Sequence, residues 1–247
     1  MPVSPDRREL SFDLVADEYE RTRPDYPDEL LVALPLGPDA TVVDLGAGTG
    51  KLTRVLARRY ANVFAVEPLA NMRAQLERVV PGATALAGSA ERIPLDDNSV
   101  DGAFAAQAFH WFDKSLAIPE IARVLRPGGV LAVIWNDGNY ELPNPLPEAY
   151  LSELNALRDA VPQPWLDEGK WEDMLLDSGL YVEAHERIAI PHEHILDRAG
   201  LLDNARSTSW IASRADAEAV IARIAELLPE GTYSIPNHAN MFWVTAR

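Results

Sequence analysis

Between residues 41 and 135, short apolar runs alternate with stretches in which apolar residues recur at helical spacing. "TVVDL" reads as a buried strand. "KLTRVLARRY" places Leu52, Val55 and Leu56 on one side of a helix, with arginines elsewhere. "NVFAVEP" is a second strand and "LANMRAQLERVV" a second amphipathic helix. "ATALAG" is a weak third strand, and "SVDGAFAAQ", behind the turn cluster "LDDNS", a fourth. A helix ending in "IARVLRPGG" leads to a fifth strand, "VLAVIW", and Pro119 predicts that this helix starts late or bends. Such alternation predicts an α/β fold, a parallel sheet covered on both faces, with ligands beyond the carboxyl ends of the strands.

The flanking segments read as additions to this core, which spans 38–136. Residues 1–37 predict a helical cap broken at Pro24 and Pro27. Residues 137–247 begin with the proline-rich "GNYELPNPLPEAY" and continue with helical patterns in "LSELNALRDAV", "WEDMLLDSG" and "DAEAVIARIAELL". "LYVEAHERIAI" and "NMFWVTAR" alternate as strands. No internal repeat or linker divides the chain, so a single domain with caps is expected.

Composition narrows the partners. The formal net charge of -16 argues against nucleic acid or an anionic membrane, both of which need a basic footprint. There are no cysteines, which removes disulfides, thiolate nucleophiles and thiolate metal sites. The first residues lack the basic start and apolar core of a signal peptide, and no apolar run approaches the roughly 18 residues of a membrane span. The expectation is a soluble cytoplasmic protein, monomer or homodimer.

The glycine turn "DLGAGTGK" carries the chemistry. A triphosphate loop needs longer glycine spacing followed by Lys-Ser/Thr, and here Leu52 follows Lys51. The dinucleotide fingerprint needs its third glycine where Lys51 stands. Asp44 beside the turn is a poor neighbour for a pyrophosphate. Glu67, ending the second strand, is placed to accept hydrogen bonds from a ribose diol. A ligand with a ribose, a cation and no phosphate satisfies all of these, and S-adenosylmethionine has that chemistry.

Taken in order, "VVDLGAGTG", "VEP", "GSAERIPLDDNSVDGAFAAQAFHWFD" and "RVLRPGGVLAVIW" resemble the class I S-adenosylmethionine-dependent methyltransferases. The close match covers roughly residues 40 to 136. "YERTRPDYP", "HWFD" and "ARSTSW" are similar to the small-molecule branch that includes the trans-aconitate-type enzymes. The resemblance implies a Rossmann-like, seven-stranded, mostly parallel sheet with helices on both faces, an antiparallel last strand and a helical cap. It implies methyl transfer to a small-molecule acceptor, at an oxygen of a carboxylate or hydroxyl, by direct displacement. By position, Gly46, Gly48 and Gly50 would admit the cofactor to the backbone, and Asp44 would support that loop and favour the cationic end. Glu67 would bind the ribose hydroxyls, with Pro68, Leu69 and Met72 beside the adenine. Ser89, Ala90 and Glu91 would meet the adenine edge, and Gln107 would lie near the sulfonium. Tyr19 and Arg23 would close over the cofactor.

Each assignment has a plainer counterpart. His110 is a candidate general base or a pocket-shaping imidazole. Arg206 and Arg214 would recognise an acidic acceptor or cover a solvated helix face. Trp111, Trp135 and Trp210, like Trp165 and Trp171, line an acceptor pocket or belong to the core. "PHEHILDR" pairs His192 with His194, but no third ligand at recognisable spacing accompanies them. It therefore reads as the polar entry to a helix, and no metal is expected. Rival functions are a nicotinamide oxidoreductase and a cofactor-binding protein that transfers nothing.

Overall fold

The computed structural model describes residues 5–138, 145–161, 171–184 and 187–247, which leaves Trp165 outside. Eight strands form one mostly parallel sheet: β1 (Thr41–Leu45), β2 (Asn62–Val66), β3 (Thr84–Leu86), β4 (Val100–Ala106), β5 (Leu125–Gly138), β6 (Tyr181–Ala184), β7 (Ile188–Asp197) and β8 (Thr232–Ala246). Seven follow the order β3-β2-β1-β4-β5-β8-β6, while β7 pairs with β8 off this path. The pairs β1·β2, β1·β4, β2·β3 and β4·β5 are parallel. β6 and β8 are antiparallel.

The described chain divides into two units. One comprises Met1–Pro24, Gly138–Pro164 and Pro191–Asn237; the other comprises Asp25–Asp137, Trp165–Ile190 and His238–Arg247. In the second unit, alternation along β1 separates two apolar clusters. Val43 and Leu45 join α4 (Lys114–Val124) through Ile118 and Ile121. Val42 joins α2 (Lys51–Arg59) through Leu52, Val55 and Leu56. This is the sequence pattern working as a sheet buried on both sides. The helix α3 (Ala70–Val79) adds Leu76 beneath the glycine turn. The first unit packs α5 (Glu148–Asp159), α7 (Arg198–Arg206), α8 (Ser209–Ala212) and α9 (Ala217–Glu226) around Tyr150, Leu201, Ile211 and Ile224. It also holds α1 (Ala16–Thr22). The short α6 (Trp171–Asp177) belongs to the second unit.

Two local expectations change. Of the two alternatives for α4 the late start falls: the helix starts at Lys114, because Asp113 caps it by accepting the Ser115 N–H at 3.0 Å, and Pro119 sits inside, exposed. "PHEHILDR" is strand, not helix entry. His192 and His194 alternate with exposed Glu193 and Ile195, and α7 begins only where Asp197 caps the Gly200 N–H. Among the described residues, no group of three or more metal-ligating side chains converges, and no helix is long and apolar enough to cross a membrane.

Candidate functional site

The carboxyl ends of β1 to β5 gather most of the residues singled out above. The chain leaves β1 at Leu45, and Gly46 and Ala47 both donate N–H bonds to Val66 O on β2 (2.9 and 3.2 Å). Gly46, Gly48 and Gly50 have φ of +64°, +57° and +93°, a left-handed path that side chains resist. Gly50 then opens α2. A Cβ on Gly46 would stand 2.8 Å from Ala108 Cβ, whereas one on Gly48 would meet nothing within 4 Å. The middle of the turn is therefore bare on its open side.

Glu67, buried at the end of β2, is tied to this turn. Its Oε2 accepts the Gly48 N–H and its Oε1 the Leu69 N–H, both at 2.8 Å. Pro68 is exposed beside it, and Met72 is buried on α3. After β3, Ser89 and Arg92 close a turn that buries Ala90, and Glu91 accepts the Asp113 N–H at 2.9 Å. At the end of β4, Gln107 takes a φ of +51° and donates through Nε2 to Asn136 O at 2.7 Å. A non-glycine residue in that region stores strain of about 1–3 kcal/mol, which structures tend to spend at functional positions. Asn136 in turn donates to Asp25 O, and Asp25 pairs with Lys51 (3.1 Å) and Arg54 (3.7 Å). Asp25, Lys51 and Asn136 were not anticipated; they meet only because the chain before β1 returns to the end of β5.

Asp44 shares the α2 face of β1 and is wholly buried. Its Oδ2 accepts the Thr53 hydroxyl at 2.6 Å. Burial pushes its carboxyl up to about 7, opposed by the Thr53 bond and reinforced by the Glu67 charge. His110 lies in the short turn Phe109–Trp111 with Trp111 beside it, ring centroids 4.9 Å apart. Burial pushes its imidazole down to about 4, and the Lys114 ammonium adds to the effect. It is neutral at physiological pH, yet a weak proton acceptor. Trp135 lies tilted against Trp171 (ring centroids 5.0 Å apart), which also meets Phe109 and Phe242, so Trp135 belongs to an aromatic cluster packed on the core.

The two titrations oppose each other. Asp44 binds a proton more readily folded than unfolded, so its contribution is lost as pH rises from 3.8 to about 7. His110 binds one less readily folded, so its contribution is lost as pH falls from 6.5 to about 4. Where the windows overlap, slopes of up to about 1.4 kcal/mol per pH unit cancel. His110→Asn will unmask the Asp44 slope, and urea unfolding across that range will show the variant losing stability as pH rises. Parallel curves for variant and wild type would sink this reading.

The other residues lie in the first unit. Arg23 rests over the Tyr19 ring (5.2 Å) and donates through Nε and Nη2 to Ser207 Oγ and O, both at 3.0 Å. Arg206 pairs with Asp203 and with Glu218 (3.0 Å), and Arg214 with Asp216 (2.7 Å). Trp210 packs into the apolar cluster of that unit. An acidic acceptor would have to displace carboxylates these two arginines already hold.

A family model described as a methyltransferase domain matches residues 43–133. An uncharacterized methyltransferase of Mycobacterium tuberculosis is 53% identical over 127 residues, 51% of this chain and 52% of the relative, so that match spans about half of each. A trans-aconitate 2-methyltransferase of Azoarcus sp. is 30% identical over 210 residues, 82% of this chain and 78% of that protein. A candidate type II methyltransferase from Anaeromyxobacter dehalogenans superposes with a TM-score of 0.65 at 26% identity, covering 91% of this chain and 97% of that one.

Proposed function

The chain belongs to the class I S-adenosylmethionine-dependent methyltransferases, and on that premise we propose that it methylates a small-molecule acceptor at oxygen, a carboxylate before a hydroxyl. The observation that carries the cofactor assignment is the pairing of Gly48 and Glu67: a bare backbone position whose N–H is held by a buried carboxylate. The residues fit the group. Glu67 would take the ribose hydroxyls, and the open side of Gly48 leaves room for the ligand. The buried Ala90 turn would meet the adenine edge, and Asp44 would favour the cationic end. When bound, S-adenosylmethionine supplies a methyl on a positively charged sulfur, an activated donor.

The chain's own contribution is then alignment in a dry, apolar-walled site more than proton transfer. His110, with its imidazole near pKa 4, is a poor base for a hydroxyl but can orient an acceptor through a ring nitrogen. A carboxylate needs no proton removed. That matches the Azoarcus relative, which is named for a polycarboxylic acid.

The test is incubation with methyl-deuterated S-adenosylmethionine and a mixed pool of polycarboxylic acids, phenols and amines, read by mass spectrometry. A labelled ester is expected. A labelled amine or ether would move the acceptor assignment and return weight to His110. Cofactor binding without any labelled product would favour the non-transferring alternative.

A further inference from the structure

Two buried polar atoms at the glycine turn have no hydrogen-bond partner among the described residues: Asp44 Oδ1 and Thr49 Oγ1. Asp44 is a severe case, because its surroundings offer so little. In the sheet it stands between Ala65 on β2 and Phe104 on β4, both fully buried and neither able to donate a hydrogen bond from its side chain. On the α2 side it meets Thr53, whose hydroxyl donates to Oδ2 at 2.6 Å and whose backbone N–H adds a weaker pull in the same direction, while Oδ1 stays without a partner. The charged group that bears on it from the end of β2 is Glu67, of like sign. Lys51 and Arg54, on the same helix as Thr53, both hold Asp25. An ionised carboxylate with one satisfied oxygen and no opposing charge is costly in such a place, so below about pH 7 the neutral carboxyl is the prevailing form.

A ligand that brings positive charge to the turn reverses that balance. We propose that the Thr53–Asp44 pair is a proton-releasing sensor of the cofactor's cationic end, with Thr53 as the positioning residue. Thr53 fixes Oδ2, which leaves Oδ1, with Thr49 Oγ1, as the atoms with hydrogen-bonding capacity to spare. On binding, the Asp44 O–H bond breaks, the proton passes to solvent, and the carboxylate stays as the counter-charge. The upward shift of Asp44 in the free protein agrees with this picture. The proposal rests on the reading of the ligand as S-adenosylmethionine.

Titration calorimetry of S-adenosylmethionine and S-adenosylhomocysteine, in buffers of different ionisation enthalpy, counts the protons. At about pH 6 the wild type is expected to release close to one proton per cofactor, and above about pH 8 almost none. Below about pH 7, affinity should rise by up to tenfold per pH unit. Asp44→Asn is isosteric and removes the titrating group; it should bind more weakly, release nothing and show no slope. Thr53→Val removes the bond that holds the carboxyl down, so its release midpoint should move to higher pH, and Thr53→Ser should restore it. A merely structural threonine would not move that midpoint. Binding without proton release in the wild type, or release that persists in Asp44→Asn, overturns the sensor while leaving the function standing. If neither cofactor binds the wild type, the function reading falls and the sensor falls with it.

Discussion

Gly46→Ala will cost about 3–5 kcal/mol of unfolding free energy, and Gly48→Ala only about 1–2. Both positions have positive φ, so both variants carry left-handed strain. The difference lies in what the added methyl meets. At Gly46 it would press on Ala108 Cβ at 2.8 Å, with the Phe112 ring 3.5 Å away. Ala108 is buried, and its carbonyl accepts the Trp111 N–H, so it cannot easily retreat. At Gly48 the methyl projects into open space. Gly48→Ala should therefore fold yet lose at least about tenfold in affinity for S-adenosylhomocysteine, because the methyl occupies the room the ligand needs. Urea unfolding and calorimetry report the two effects separately. Equal stability losses would contradict the packing argument; wild-type affinity in Gly48→Ala would place the ligand elsewhere.

Glu67→Ala will weaken cofactor binding by roughly 100-fold, the loss expected when about two charge-assisted hydrogen bonds to a diol disappear. It will also destabilise the free protein by about 2–4 kcal/mol, because the Gly48 and Leu69 N–H groups lose their acceptor. Glu67→Gln separates the causes. Its carbonyl still accepts one of these bonds while its amide opposes the other, so stability should fall less than affinity. Retained affinity in both variants would remove Glu67 from the binding site.

The parallel core was legible because its strands are buried on both faces, and runs such as "TVVDL" leave no other reading. Glu67 was legible for a related reason, a carboxylate ending such a run beside glycines. The start of β7 was legible in "RIAI", but its continuation was hidden by His192, Glu193 and His194, polar residues that obscure a period of two unless the side chains are known to be half-buried. Thr53 left a readable trace: a hydroxyl among Leu52, Val55 and Leu56 on the buried side of α2 needs a partner, and Asp44 was at hand. The pairing of Arg214 with Asp216 is local enough to be foreseen. That of Arg23 with Ser207 joins residues 184 positions apart, and nothing in local pattern announces it.

The order of the sheet also has a consequence for synthesis. β6 reaches the sheet only through β8, which lies between β5 and β6 although it follows both in the chain. On the ribosome β6 must wait without a strand neighbour until the helices from α7 to α9 and then β8 have emerged. At ~5–20 residues per second that wait lasts several seconds, and β5 keeps an open edge throughout. The nascent chain thus passes through an interval when two strand edges invite a stray partner. Closing the sheet waits on β8, whose Phe242 and Val244 join one core cluster and whose Met241 and Trp243 join the other.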